Sequence, residues 1–597
     1  VNKTTGNITV NNQLRWKVID GLQLVGQAVI RKYDQDENVT NKKIINYDWD
    51  NNEVREKRTP NSAERRYQKT LSKNFTLYAD YKKNFNDRHD LSVMVGTSHE
   101  SENYDRFTAK RINFDQQENM SLQLGSAQDQ NAWSEGNQWT INSFFSRVNY
   151  TFANKYVIEG TIRADGSSRF DPDHRWGWFP GVNAAWRVGE EGFMKRLGWF
   201  EDLKVRASYG EMGNQSGIGL YDYIQLISLS NDYYPFGAGV KGQMATSGNI
   251  ISTSRTWETI QTTNVGFDFS TLNNRLYGSF DYFWKENKNM LIPKTYPSML
   301  GADAPSTNSG HLSIHGWEIS LGWRDQIKDF SYSVRFNISD AKNKVVDRVG
   351  SNLIKLGNNE TPTGYPLNSY FGYEFDGIIQ NEQELEAYKS RFSEGGIPGD
   401  LSVGDAMYKD LDGDGKLSVL GDGKEGSGDV KYLGDKNPRY NFGFNLSMAW
   451  KGFDLSAFIQ GVGRRTMFLE GESRCPMPEA WYQSAEYWYG KTWTPERTDA
   501  QYPAITLKDK RNYNYYVSTN TKFNVAYARL KNLQFGYTIP QTLTSKAGLQ
   551  KVRVYFSGED LFEVHNTPNG WDPEENSGSI TSYPFTRNYS FGINVVF

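Results

Sequence analysis

The run Asp410-Leu411-Asp412-Gly413-Asp414-Gly415-Lys416 sets three carboxylates at alternate positions just before a glycine. Carboxylates at positions 1, 3 and 5, a glycine at 6 for the sharp turn and a backbone carbonyl at 7 make the first half of a calcium loop, in which oxygen ligands surround a hard cation. Position 12, where a bidentate glutamate would close the loop, is Gly421, so Asp422 or Asp429 has to complete the shell. The expected ligands are therefore Asp410, Asp412, Asp414, Lys416 through its carbonyl, and Asp422 or Asp429, around a structural Ca²⁺ or a similar ion. A solvated Asp/Gly turn is the alternative, and no flanking helices are evident.

A second group is aromatic. Tyr233, Tyr234 and Phe236 stand together, as do Trp481, Tyr482, Tyr487, Trp488, Tyr489 and Trp493, with Tyr513, Tyr515 and Tyr516 further on. Such rings can stack on a solute, which makes Tyr233, Tyr234, Trp481, Tyr482, Trp488 and Trp493 candidate substrate contacts. Packing beneath the loops or against a partner is the weightier alternative. No catalytic constellation accompanies them: the six histidines are scattered, and HExxH, GxxxxGK[ST] and GxSxG are all absent. Catalysis is not expected.

Both groups lie in long polar stretches between segments that alternate strictly at a period of two. In Phe330 to Ser339, the residues Phe330, Tyr332, Val334, Phe336 and Ile338 share one face, and Ser331, Ser333, Arg335, Asn337 and Ser339 the other. Tyr440 to Trp450, Leu276 to Trp284 and Val552 to Gly558 follow the same rule. Tight connections at Asp20-Gly21, Asn84 to Arg88, Phe152 to Lys155, Leu272 to Arg275 and Lys451-Gly452 alternate with excursions near 34–66, 108–136, 214–254, 347–437, 467–520 and 563–583. Short turns at one end and long loops at the other are the pattern of outer-membrane barrels. About 17 strands are expected, many longer than the roughly 9 to 11 residues that cross a bilayer at a tilt. Stacked soluble sandwiches, with strands of about 5 to 6 residues, are the alternative. Trp284, Trp323 and Trp450, near strand ends, suit the headgroup level.

Composition agrees. Hydrophobic residues make up 37% and mean hydropathy is −0.70, while aromatics reach 14%. No apolar run is long enough for a membrane-spanning helix. The balance of 67 Lys+Arg against 70 Asp+Glu carries no nucleic-acid footprint. The single cysteine, Cys475, excludes an internal disulfide. The C-terminal NYSFGINVVF puts Tyr589, Phe591, Ile593, Val595 and Phe597 on one face, and an apolar face ending on a terminal Phe resembles the closing strand of bacterial outer-membrane proteins. Counting back from it, the first strand runs downward from the outside. Since single-chain bacterial barrels close with an even number of strands, an odd number is expected upstream.

Several runs resemble SusC/RagA-type TonB-dependent transporters: LKVRASYGEMGNQ at Leu203 to Gln215, TWETIQTTNVGFDFSTLNNRLYGSFDYF at Thr256 to Phe283, GHLSIHGWEISLGW at Gly310 to Trp323, GYPLNSYFGYEFDGIIQ at Gly364 to Gln380, the DLDGDGKLS run, and GDKNPRYNFGFNL at Gly434 to Leu446. The resemblance implies an all-β, transmembrane antiparallel β-barrel of roughly 22 strands, of which residues 1–597 supply the C-terminal part, with 347–437 as a long extracellular loop carrying the calcium-type turn. It also implies a plug and a TonB-contacting segment N-terminal to these residues, a SusD-like surface lipoprotein as lid, contact with outer-membrane lipid and lipopolysaccharide, a possible pairing of two barrels, and a Bacteroidetes-type outer-membrane location. The expected function is TonB-dependent import of an oligosaccharide or peptide. The alternatives are a SusC-like barrel kept as a structural or assembly subunit of a larger complex, and a surface β-rich adhesin.

Overall fold

Alternation at a period of two favours extended backbone with one apolar and one polar face, and the computed structural model builds 17 long strands into one antiparallel sheet. In chain order they are β1 (Asn2–Ile19), β2 (Leu22–Asn41), β3 (Ser62–Phe85), β4 (His89–Ile112), β5 (Gln130–Phe152), β6 (Tyr156–Ser167), β7 (Trp176–Trp186), β8 (Asp202–Asn214) and β9 (Glu258–Thr271). They continue with β10 (Leu276–Pro293), β11 (Ser306–Ile327), β12 (Phe330–Asp347), β13 (Arg439–Trp450), β14 (Phe453–Arg464), β15 (Tyr527–Thr538), β16 (Lys551–His565) and β17 (Asn588–Val596). The structure describes every residue except 231–234, 237–239, 242–243, 248–249, 294–305, 349–355, 358–360, 421–427, 479–483, 507–508, 576–577, 579–582 and 584. The chain has two compact units: residues 1–184, 208–261 and 289–308, and residues 185–207, 262–288 and 309–597.

Within the first unit β1 to β6 pair each with the next, and within the second β11 to β17 do the same. In the first unit the ladder β3–β4 runs unbroken from Ser62↔Ile112 to Phe85↔His89, and β2–β3 from Leu22↔Tyr81 to Asn41↔Ser62. In the second, β12–β13 pairs Phe330↔Trp450 through Ser339↔Asn441, and β16–β17 pairs Lys551↔Val596 through Glu559↔Asn588. The expected tight turns are present. Asn86 and Asp87, and likewise Ala153 and Asn154, take consecutive positive φ, the primed-turn geometry that matches the twist of a hairpin. Gly21 has φ 85°, and a Cβ there would come within 2.4 Å of the Lys82 carbonyl oxygen, so only glycine fits.

The apolar faces point outward. Leu77 and Val95 are each 57% exposed and Phe591 is 83% exposed, on the faces that the alternation assigns. Two stacked sheets would have buried these side chains against one another, so the sandwich alternative fails. At the short-turn ends the exposed residues turn aromatic: Phe85, Phe152 and Tyr156 in the first unit, Trp450 and Phe453 in the second. Amphipathic rings belong at a headgroup boundary.

The connections differ from expectation in three respects. β2 continues to Asn41 and β3 begins at Ser62, and β4 ends at Ile112 with β5 starting at Gln130, so the stretches expected as loops at 34–66 and 108–136 are shorter. Cross-strand pairs hold these polar strand ends together beyond the apolar band. Arg65 and Asp36 lie 2.7 Å apart, and the Tyr67 hydroxyl donates to Asp34 at 2.9 Å. Two of the connections at the short-turn end, 187–201 and 539–550, are longer and hold the helical turns Gly192–Leu197 and Gln541–Thr544. Finally, the described residues of the loops 348–438 and 465–526 fold into a body of their own.

Candidate functional site

That body starts at the helix Glu382–Arg391. Asn381 caps it by accepting the Glu384 amide of the first turn at 2.9 Å, while the Glu384 carboxylate reaches back to accept the amide of Gln380, just before the cap, at 2.9 Å. One face of the helix buries Leu385 and Tyr388 against Tyr408, Ile379 and Tyr513. Three buried hydroxyls are tied together: Tyr388 with Tyr513 at 2.7 Å, and Tyr408 donating to the Tyr513 carbonyl at 2.8 Å. Asn514 bridges the two loops, accepting the Ala406 amide at 3.0 Å and donating to Asp405 at 2.9 Å. Burial pushes the Tyr388 hydroxyl up to about 12, so it stays a neutral donor. A second cluster holds Met467, Trp488, Tyr502, Tyr515, Val525 and Trp571.

The acidic turn rests on this body through Leu417, which is buried in the first cluster. Carboxylate oxygens of Asp410, Asp412 and Asp429 lie within 4.8 Å of one another. Asp414 lies outside this group and accepts the Lys416 amide at 2.8 Å. The expected 1, 3, 5 pattern therefore becomes 410, 412 and 429, because Asp429 returns to the turn from across the loop and accepts the amides of Leu411 at 2.6 Å and Ser418 at 2.8 Å. Asp422 lies outside the described residues. Asp410 accepts the amides of Gly413 at 2.7 Å and Gly415 at 3.0 Å, and Asp412 accepts that of Gly428 at 2.7 Å. Each carboxylate has about four lone-pair sites, so acceptor capacity is left over. Asp429 is buried, and among the described residues no ion pair reaches any of the three. Desolvation and its two acidic neighbours raise the Asp429 carboxyl above its ordinary range. Three oxygen donors of like charge fit a hard cation.

The aromatic candidates separate. Tyr233, Tyr234, Trp481 and Tyr482 lie outside the described residues. Trp488 is 3% exposed, edge-on to Tyr502 and Tyr515, so packing inside the loop body describes it better than solute contact. Trp493 is half-buried and donates its indole N–H to Gln380 at 3.1 Å. Tyr489 is instead the ring left open, 89% exposed at the edge of a cavity of about 370 Å³. Its walls include Glu486, Tyr487, Lys491, Asn569 and Trp571. Exposure distinguishes Tyr489 from Trp488, and residue type alone could not.

The Asn569–Trp571 wall is held by Arg529 of β15, a side chain only 1% exposed. It meets Asp572 at 2.5 Å and Glu574 at 3.1 Å, with the Phe585 ring 4.3 Å away. Nothing in the local sequence marks this arginine, since its partners lie more than 30 residues on, at Glu563, Asp572 and Glu574. On the polar face near the short turns, the second unit has a further concavity of about 730 Å³. Across it Ser333, Ser447, Ser456 and Gln534 stand in cross-strand register, flanked by Asp454, which Arg553 grips at 2.9 Å.

A family model described as "TonB dependent receptor-like, beta-barrel" matches residues 2–561. The chain belongs to this family. It is 31% identical over 558 residues to TonB-dependent receptor P3 of Formosa agariphila, covering 88% of this chain and 52% of that protein. It is 26% identical over 568 residues to TonB-dependent receptor SusC of Bacteroides thetaiotaomicron, covering 88% of this chain and 50% of that one. The chain thus spans about half the length of these relatives. Among solved structures, the RagAB peptide transporter aligns over 99% of this chain and 62% of its own, with a TM-score of 0.81 and 22% identity, a likeness of fold. The family places this barrel in the bacterial outer membrane, where it crosses with strands, and the relatives are named as receptors rather than enzymes.

Proposed function

We propose that the whole protein imports a nutrient, an oligosaccharide or a peptide, across the outer membrane in a TonB-dependent manner with a SusD-like surface lipoprotein as its lid. The match of residues 2–561 to the TonB-dependent barrel family carries this reading. The fold supports it: strands with outward apolar faces provide the wall, and the packed loop body provides a firm surface for solute and lid to meet. The polar concavity lined by Ser333, Ser447 and Ser456 faces away from lipid and suits a plug supplied by a preceding segment. The cluster of Asp410, Asp412 and Asp429 would hold a structural Ca²⁺ that stiffens the loop body.

Deletion of the gene and complementation with the whole protein tests the reading. Uptake of labelled oligosaccharides or peptides should fall on deletion, return with the wild-type gene, and fail to return when the TonB-contacting segment is removed. Uptake indifferent to that segment, with loss of a neighbouring complex on deletion, would favour the assembly-subunit alternative.

A further inference from the structure

The cavity beside Tyr489 contains a cation, Lys491, that makes no ion pair among the described residues. Lys491 sits with its Nζ 3.5 Å from the centre of the Tyr487 ring, and Trp571 stands edge-on to that ring at 5.8 Å. The Tyr487 hydroxyl is tied to Tyr502 at 2.6 Å, so the wall beneath the ammonium is fixed. Among the described residues no carboxylate lies within ion-pair distance of Lys491. Desolvation lowers its pKa, as expected for an ammonium whose environment offers a π-face but no anion. Glu486 lines the same cavity but makes no ion pair with Lys491, and it offers an acceptor for hydroxyl donors. Asn569 adds an amide with both a donor and an acceptor. Tyr489 contributes a ring that is 89% exposed.

We infer that this cavity is a subsite for an acidic saccharide, whose anionic substituent pairs with Lys491 while a sugar ring lies on Tyr489 and its hydroxyls meet Glu486 and Asn569. An open aromatic face flanked by short-range polar groups suits a flat, hydroxyl-edged ring. One common mode of peptide capture adds a strand to an exposed sheet edge, and this cavity presents none among the described residues, being lined by the 3-10 turn Glu486–Trp488 and the Asn569–Trp571 wall. The Arg529 clamp keeps that wall in place, because Asp572 follows Trp571 directly. The inference rests on the uptake reading for its biological sense, but binding can be measured without transport.

The test is titration calorimetry on the detergent-purified whole protein with oligogalacturonate, its carboxyl-reduced neutral counterpart, and a hexapeptide with a free C-terminus. Oligogalacturonate should bind, and the neutral sugar should bind at least about tenfold more weakly. Lys491→Met, which keeps the aliphatic stem on Tyr487, should reduce oligogalacturonate affinity about tenfold and leave the neutral sugar unchanged. Lys491→Arg should restore most of the loss, showing that charge and not folding is responsible, and Tyr489→Ala should weaken both sugars. Equal oligogalacturonate binding by wild type and Lys491→Met, or binding of the peptide in place of either sugar, would overturn the subsite. If Lys491→Met cells still import their nutrient while oligogalacturonate gives no heat, the subsite is wrong and the uptake reading stands.

Discussion

The sheet and the loop body use the same kinds of residue in opposite ways. In the sheet, Leu77, Val95 and Phe591 turn outward and are left uncovered by protein; in the loop body, Tyr408, Tyr502 and Val525 are fully enclosed. The difference is the medium each must satisfy. A bilayer is as apolar as a core, so a strand facing lipid needs no protein cover for its side chains but must pair every backbone group. Loops facing water have no ladder to rely on and must build a core of their own, with hydroxyls and amides paired inside it.

The most damaging substitution should be Tyr408→Ala. It opens a cavity in the first loop cluster and breaks the bond to the Tyr513 carbonyl, for about 4 kcal/mol. Tryptophan fluorescence melts should lose the loop-body transition, while heat-modifiable migration of the barrel persists. Val95→Arg should do the reverse. An arginine on the lipid face costs about 3 kcal/mol, so assembly into membranes should fall while soluble protease fragments of the loop body are unchanged. Arg529→Met leaves Asp572 without its cation, while Lys531 still reaches Glu574 at 3.2 Å; with Asp572 partly exposed the cost is about 2 kcal/mol, and faster hydrogen exchange in 566–575 should report it. Adding Ca²⁺ to chelator-treated protein should raise the loop-body melting temperature by roughly a few degrees, and Asp429→Asn should abolish that rise. The smallest effect concerns Glu374, whose carboxyl is held at about 2 by hydrogen bonds from Lys409 and Lys431. Its free-chain value is about 4.3, so the stabilisation is present above that pH and disappears as pH falls through about 2. Melts between these limits should flatten in Glu374→Gln.

The wall was legible in the sequence because strand polarity is local. Phe330, Tyr332 and Val334 declare their face within a few residues, and the C-terminal run from Tyr589 to Phe597 does the same. The loop body was not, because its contacts join residues far apart in sequence: Tyr388 meets Tyr513 across 125 positions and Asp405 meets Asn514 across 109. For the same reason Asp410 and Asp412 announce themselves by spacing, whereas the preference for Asp429 over Asp414 depends on a loop return that no spacing encodes. Trp488 and Tyr489 are adjacent and chemically alike, yet one is enclosed and the other open. Only the fold of 465–526 decides which.

The paired register of β3 has a further effect at the cell surface. Ser62 to Tyr81 is bonded on one side to β2 and on the other to β4, so its outermost residues are as fully laddered as those at bilayer depth. Proteases cut where they can draw several residues out into their clefts, and this strand offers them no slack. Digestion of intact cells should nick the connection at 42–61 and go no further, leaving β2 and β3 cut at their tip but still laddered together as a rigid stake.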